Sequence, residues 1–196
     1  MANPESTRRR DRWSDIAVLG LVAVALLLGL VVRQQVAYAA AFFEQGGISG
    51  ACPAGWLRVT GDDPLLRVED TLGGTFNTLF ELRTTVLAAE VELALALDAL
   101  ALERAGQVSL YDAIGTDTVE VGGQTAARRE FVYVYHDPNP YLQRLPVVVK
   151  GVDLALRAEG RVIIATLLAA ADDFDSQQAR FLRFVESLEY AGEAGE

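Results

Sequence analysis

Enzymatic chemistry needs a nucleophile beside a base, paired carboxylates, or a cluster of metal-binding side chains. This chain offers little of that kind. His136 is its only histidine and Cys52 its only cysteine. A Ser/His/Asp or Cys/His site would have to use His136, which stands between Tyr135 and Asp137 ahead of a Pro-rich turn. No second histidine or matched nucleophile accompanies it, so it reads as a surface residue at a strand end. Cys52 has no partner for an internal disulfide, and nothing near it in sequence lowers a thiol pKa. It reads as a small, half-buried residue where the folded domain begins, rather than a reactive or intermolecular thiol. Asp62-Asp63 and Glu69-Asp70 supply oxygens, but without the spacing of an EF-hand loop; a turn and a solvated edge account for them. Gly73-Gly74 and Gly122-Gly123 precede strands, not helices, so neither is a phosphate loop. The expectation is a chain with no catalytic residue, no cofactor and no metal.

Position is more legible than chemistry. The 196 residues suffice for one domain plus an appendage, and 51% are apolar. Formal charge is −10. Residues 1–15 carry four Arg against three acids, a net +1, which leaves −11 on the remainder. So acidic a domain argues against nucleic acid, whose phosphates require clustered Lys and Arg. Ile16 to Val32 hold 17 residues without a charge. As a helix they would extend roughly 26 Å, just short of a bilayer's hydrocarbon core. Flanking residues make up the difference: Trp13 before the run, Arg33 able to snorkel after it, then Tyr38, Phe42 and Phe43 as interfacial rings. Arg8, Arg9, Arg10 and Arg12 on the N-terminal side place that end in the cytoplasm and the rest outside.

The rival reading is a cleaved signal peptide, with Ala37-Tyr38-Ala39 as its cleavage site. The apolar run is longer than a typical signal core, and the residues after it stay helix-compatible up to Gly46-Gly47. A retained anchor in the plasma membrane is therefore expected. The corresponding divisions are a cytoplasmic tail over 1–15, a transmembrane helix with its interfacial extension over 16–45, and a Gly-rich linker over 46–54. An extracytoplasmic domain follows over 55–190, then a disordered tail over 191–196.

Within that domain, hydrophobic periodicity predicts strands over 55–61, 65–70 and 75–86, then a helix over 91–106 with Leu93, Leu97, Leu100 and Ala101 on one face. Strands follow over 108–121, 125–137, 146–158 and 161–170, with Gly122-Gly123 as a two-residue hairpin turn. A last helix over 172–188 buries Phe174, Phe181, Phe184, Val185 and Leu188, with Asp172, Asp173 and Asp175 as N-terminal caps. The order βββαββββα with long hairpins is an α+β fold: a largely antiparallel sheet covered by helices and preceded by one transmembrane helix.

Four segments sharpen this: CPAGWLRV where the domain begins, VEVGGQTAARREFVYV as a hairpin, GRVIIATLLA as a late strand and FDSQQARFLRFVESL as a closing helix. In that order they resemble the PsbP-like fold, which includes lumenal PsbP subunits of photosystem II, Mog-type Ran-binding proteins and anchored bacterial extracytoplasmic proteins. The resemblance covers about residues 52–190. It implies a non-catalytic binding or accessory role and carries over no ligand residue.

Two functions from different classes remain open. One is a membrane-anchored extracytoplasmic interaction module, an accessory subunit whose partners are the lipid bilayer and an unidentified membrane protein or complex. The other is an extracytoplasmic small-ligand-binding or sensor domain. The first has a candidate surface in His136–Pro146, the longest connection of the domain. Pro138, Pro140 and Pro146 deny it ladder hydrogen bonds. It presents Tyr141, Leu142, Arg144 and Leu145, and Tyr and Arg are enriched at interface hot spots.

Overall fold

The computed structural model describes residues 18–30, 39–139, 141 and 145–190. The chain divides into two units at Ala39/Ala40. In the first, residues 18–30 form a helix, α1, whose leucines and valines are exposed. No helix among the described residues is long and apolar enough to cross a membrane. The ends of the expected span, with Trp13, Arg33 and Tyr38, lie outside the described residues.

The second unit begins earlier than the sequence suggests. Ala40–Gln45 is a strand, β1, and Ile48–Pro53 is a second, β2, paired antiparallel with Phe43 opposite Gly50. A helix with its interfacial extension was expected through residue 45 and a linker over 46–54; strands stand in both places for one reason. Gly46 and Gly47 have φ of 58° and 74°, the backbone of a two-residue hairpin turn. The same Gly-Gly device was recognised at 122–123, where the flanking alternation is stronger. Around Gly46-Gly47 a run of alanines hides the two-residue period. Phe43 is thus not an interfacial ring: it is buried in the core beside Phe184, while Phe42 is exposed.

Seven further strands form one antiparallel sheet: β3 (Leu57–Thr60), β4 (Leu66–Glu69), β5 (Leu79–Val86), β6 (Ser109–Val121), β7 (Gln124–Tyr135), β8 (Val147–Ala158) and β9 (Arg161–Ala170). Their spatial order is β3-β4-β5-β9-β8-β7-β6. β1, β2 and a short β10 (Glu189–Tyr190) make a second, three-stranded sheet. Helix α2 (Leu93–Gln107) separates β5 from β6, and α3 (Phe174–Glu186) follows β9. The expected α+β, antiparallel order is therefore present, with one hairpin added before it and one short strand after it.

β9 shows how the layers meet. It is central, and nine of its ten residues are buried. Ile163, Ala165, Leu167 and Ala169 face one core with the Phe-rich stripe of α3 and residues of β1–β2; Val162 and Ile164 face another with Leu97 and Leu100 of α2. Period two in the strand thus serves two covers at once. On the α3 side, Phe80 lies against Trp56, Phe181 and Phe184 at centroid distances of 4.9, 5.4 and 5.5 Å. Such ring pairs add about 0.5–1.5 kcal/mol each beyond the area they bury. The acids before α3 do not cap it as expected. Asp173 occupies the N-cap position without a side-chain cap bond, and Asp175 in the first turn contributes through the helix dipole. Ser187 closes the other end: its hydroxyl donates to the Phe184 carbonyl (2.7 Å) and accepts from the Ala51 N–H (2.9 Å), tying β2 to α3.

Since β1 and β2 supply Phe43, Ile48 and Cys52 to this core, a chain trimmed to begin at Ala40 should melt cooperatively by circular dichroism. One trimmed to begin at Gly50 should melt at a clearly lower temperature. Equal melting temperatures would show that the hairpin is dispensable.

Candidate functional site

The β7–β8 connection leaves the sheet at the end where β5, β6 and β8 start and β9 stops. Two side chains curl it. Asp137 Oδ1 accepts from the Asn139 N–H (2.9 Å), and Asn139 Oδ1 accepts from the Tyr141 N–H (3.1 Å). These successive Asx turns explain how a Pro-rich stretch holds shape without a ladder. Tyr141 is 91% exposed and Leu145 84%. Leu142 and Arg144 lie outside the described residues. Leu145 borders an open hollow of about 760 Å³ whose walls include Thr75, Val147, Val148, Ala170 and Asp172. Leu72, on the β4–β5 connection, is also fully solvent-facing at 92%, and Val148 is half exposed. That connection is held by Asp70, whose carboxylate accepts from the Leu72 N–H, and by Asn77, which donates to Glu69 (2.8 Å). The acids considered as calcium ligands therefore have structural work: Glu69 and Asp70 here, and Asp63 in an ion pair with Arg83.

Beneath this end lies a packed floor. Phe76 meets Tyr135 edge-on at 5.2 Å, and with Leu79, Phe131, Tyr133, Val149 and Leu168 it fills the sheet face. Gly151 makes room: a Cβ there would stand 2.3 Å from the Phe131 ring. Arg104, from the last turn of α2, lies over the same ring at 4.3 Å. It donates two hydrogen bonds to Asp153 (2.6 and 3.0 Å) and reaches Thr166, whose hydroxyl donates to Asp153 at 2.6 Å. All three residues are buried. Burial works against the Arg104 charge, but the Asp153 carboxylate and its hydrogen bonds outweigh it, and the guanidinium sits above its ordinary range. Burial also pushes the Tyr133 hydroxyl up to about 12, so it stays neutral. A second pair flanks the first: Arg129 donates to Asp98 of α2 and to Thr116 of β6.

This network was not read from the sequence, yet its signals were there. Asp153 is a lone acid inside VVVKGVDLALRA, and Arg104 continues the buried stripe of Leu97 and Leu100 by one turn. An isolated charge at a core position implies a buried partner. The other sequence candidates fall elsewhere. His136 is exposed at the end of β7. Cys52 is buried rather than half-buried; its thiol donates to the Ala41 carbonyl (3.3 Å), and burial raises its pKa. Among the described residues, no group of three or more His, Cys, Asp or Glu is placed to hold a metal ion.

No model of a protein family matches the chain, and no curated protein matches its sequence. Solved structures do match. Cyanobacterial PsbP (CyanoP) from Synechocystis sp. PCC 6803 aligns over 78% of this chain and 93% of its own, with 12% identity and a TM-score of 0.55. LpqN, involved in cell envelope biogenesis of Mycobacterium tuberculosis, aligns over 79% and 91%, with 13% identity and a TM-score of 0.50. The Ran-binding protein Mog1p of Saccharomyces cerevisiae superposes less well, at 0.48 over 79% and 96% with 13% identity. The domain thus has the PsbP-like fold.

Breaking the buried pair should be costly. Arg104→Met strands the Asp153 carboxylate and should destabilise the domain by about 3–5 kcal/mol in urea titrations. Arg104→Met combined with Asp153→Leu should recover most of that loss. A double variant as unstable as the single one would show that the pair contributes more than mutual compensation.

Proposed function

We propose that this chain is a non-catalytic protein-interaction module, held at the plasma membrane by its N-terminal apolar segment with the folded domain outside the cytoplasm. Its role is that of an accessory subunit of a membrane complex, and the partner docks on the loop end of the sheet. The observation that carries this reading is that the two connections at this end of the sheet expose Leu72, Tyr141 and Leu145, beside a packed face of Phe76, Phe131 and the Arg104–Asp153 pair. Large apolar side chains held in solvent by ordered backbone mark binding surfaces, and a rigid platform lowers the entropy lost on docking. The uncharged run of residues 16–32 behind a cluster of four Arg supports the anchor. The fold shared with LpqN, a protein of cell envelope biogenesis, is consistent with an extracytoplasmic setting.

Two experiments test this. Peptide mapping of protein extracted from membranes should recover peptides that span Ala39–Ala40; a mature chain that begins at Ala40 contradicts the anchor. Co-purification in mild detergent should bring down a stoichiometric partner. Replacing Tyr141 and Arg144 with Ala should weaken that association by roughly 2 kcal/mol or more while leaving the melting temperature in place. A double variant that melts much lower and binds its partner normally would make the connection a structural lid.

A further inference from the structure

Strand β6 is the free edge of the seven-stranded sheet; among the described residues it pairs only with β7. Its first half is blunted by register shifts between Ser109 and Asp112 and between Ala113 and Gly115. Its second half, Thr116 to Val121, runs opposite Arg129 to Gln124 without a break. Gly122 and Gly123, with φ of 58° and 78°, close that hairpin, which makes Val121 and Gln124 a hydrogen-bonded pair. Counting back by alternation, Val119 and Asp117 also bond β7. Thr116, Thr118 and Glu120 turn their backbone N–H and C=O groups away from it. All three are exposed. Beside this half of the strand lies α3, with a hollow of about 150 Å³ between them. Val119, Val152, Leu154, Phe181 and Leu182 line it, with Gln178 of α3. At about 30 Å³ per water, that is room for an aliphatic side chain, and such walls offer a water few partners.

We propose that this half of β6 takes an extended segment of a partner protein as a further strand, with an aliphatic side chain in the hollow and Lys or Arg beside it. The unpaired edge groups define the occupant's backbone, because an extended chain meets donors and acceptors spaced two residues apart. The hollow selects its side chain: added strands draw affinity from main-chain bonds and specificity from pockets for alternate side chains. Charge selects its flanks. β6 carries Asp112, Asp117 and Glu120 and no Lys or Arg. Arg128 answers Asp117 with two hydrogen bonds (2.8 and 2.7 Å), whereas Glu120 accepts from the neutral Thr125 hydroxyl (2.8 Å). A basic segment is attracted to this edge, and the acidic β6 of a second copy is repelled by it. The site stands at the Gly122-Gly123 end of β6, away from the β7–β8 connection. It is therefore a separate surface and does not rest on the loop end carrying a partner.

The test uses the full chain in mild detergent and the fluorescein-labelled peptide KTVTVTVK, read by fluorescence polarisation. Two derivatives carry N-methyl groups, one on its threonines and one on its valines. An added strand bonds β6 along one of its edges only. One derivative should therefore bind at least tenfold more weakly than the parent peptide, and the other should match it. A glutamate-ended peptide, ETVTVTVE, should bind at least fivefold more weakly. Thr118→Pro removes an N–H that β7 does not use, and Leu182→Phe fills the hollow. Each should reduce binding at least fivefold with the melt in place. Equal binding of the two methylated peptides overturns the proposal, and so does undiminished binding to Thr118→Pro. Absence of binding by KTVTVTVK up to millimolar concentration likewise overturns it.

Discussion

One buried ion pair organises half of this molecule. Arg104 and Asp153 come from elements 49 residues apart and meet without solvent, with Thr166 as a third member. Buried charges must be satisfied, and a fork-shaped guanidinium satisfies a carboxylate in one orientation. Leucines alone would let α2 slide along the sheet face. The pair fixes its axial position, and with it the guanidinium over Phe131. Phe131 in turn requires Gly151 beneath it and Tyr111 beside it, at 5.4 Å. The floor of the loop end is therefore set by a polar contact deep in the domain.

The opposite face is built differently. There the cover is a second sheet and α3, and the contacts are almost all aromatic or aliphatic. Its polar links end on backbone groups, such as the Ser187 hydroxyl on Ala51 and the Cys52 thiol on Ala41. This division suits a binding module. One face supplies bulk stability through apolar burial, and the other supplies a defined position for the surface at its edge.

Much of the fold was legible because the seven strands of the main sheet and helix α3 carry strong periods. β7 alternates Phe131, Tyr133 and Tyr135 with Val132 and Val134, and α3 repeats Phe at helical spacing. The first hairpin was not legible, because Ala40 and Ala41 have no burial preference strong enough to reveal period two. Gly46-Gly47 also serves as a helix stop in one reading and a hairpin turn in the other. Phe43 was drawn to the membrane by the same ambiguity and belongs to the core. The buried network was missed because long-range pairing leaves no local pattern; its only trace is a charge where the periodicity calls for leucine. For the candidate surface, residue types at 141 and 145 were readable, but their company was not. Val148 meets Leu145 at the same hollow only through the fold.

The central claim is that the loop end of the sheet carries the partner. Hydrogen–deuterium exchange tests it most directly, comparing the chain alone with the chain in its detergent-extracted complex. Slowed exchange confined to residues 70–78 and 136–148, with α2 and β9 equally protected in both states, is the expected result. Unchanged exchange in those two segments, with new protection on α3 or along the β1–β2 hairpin, would contradict it.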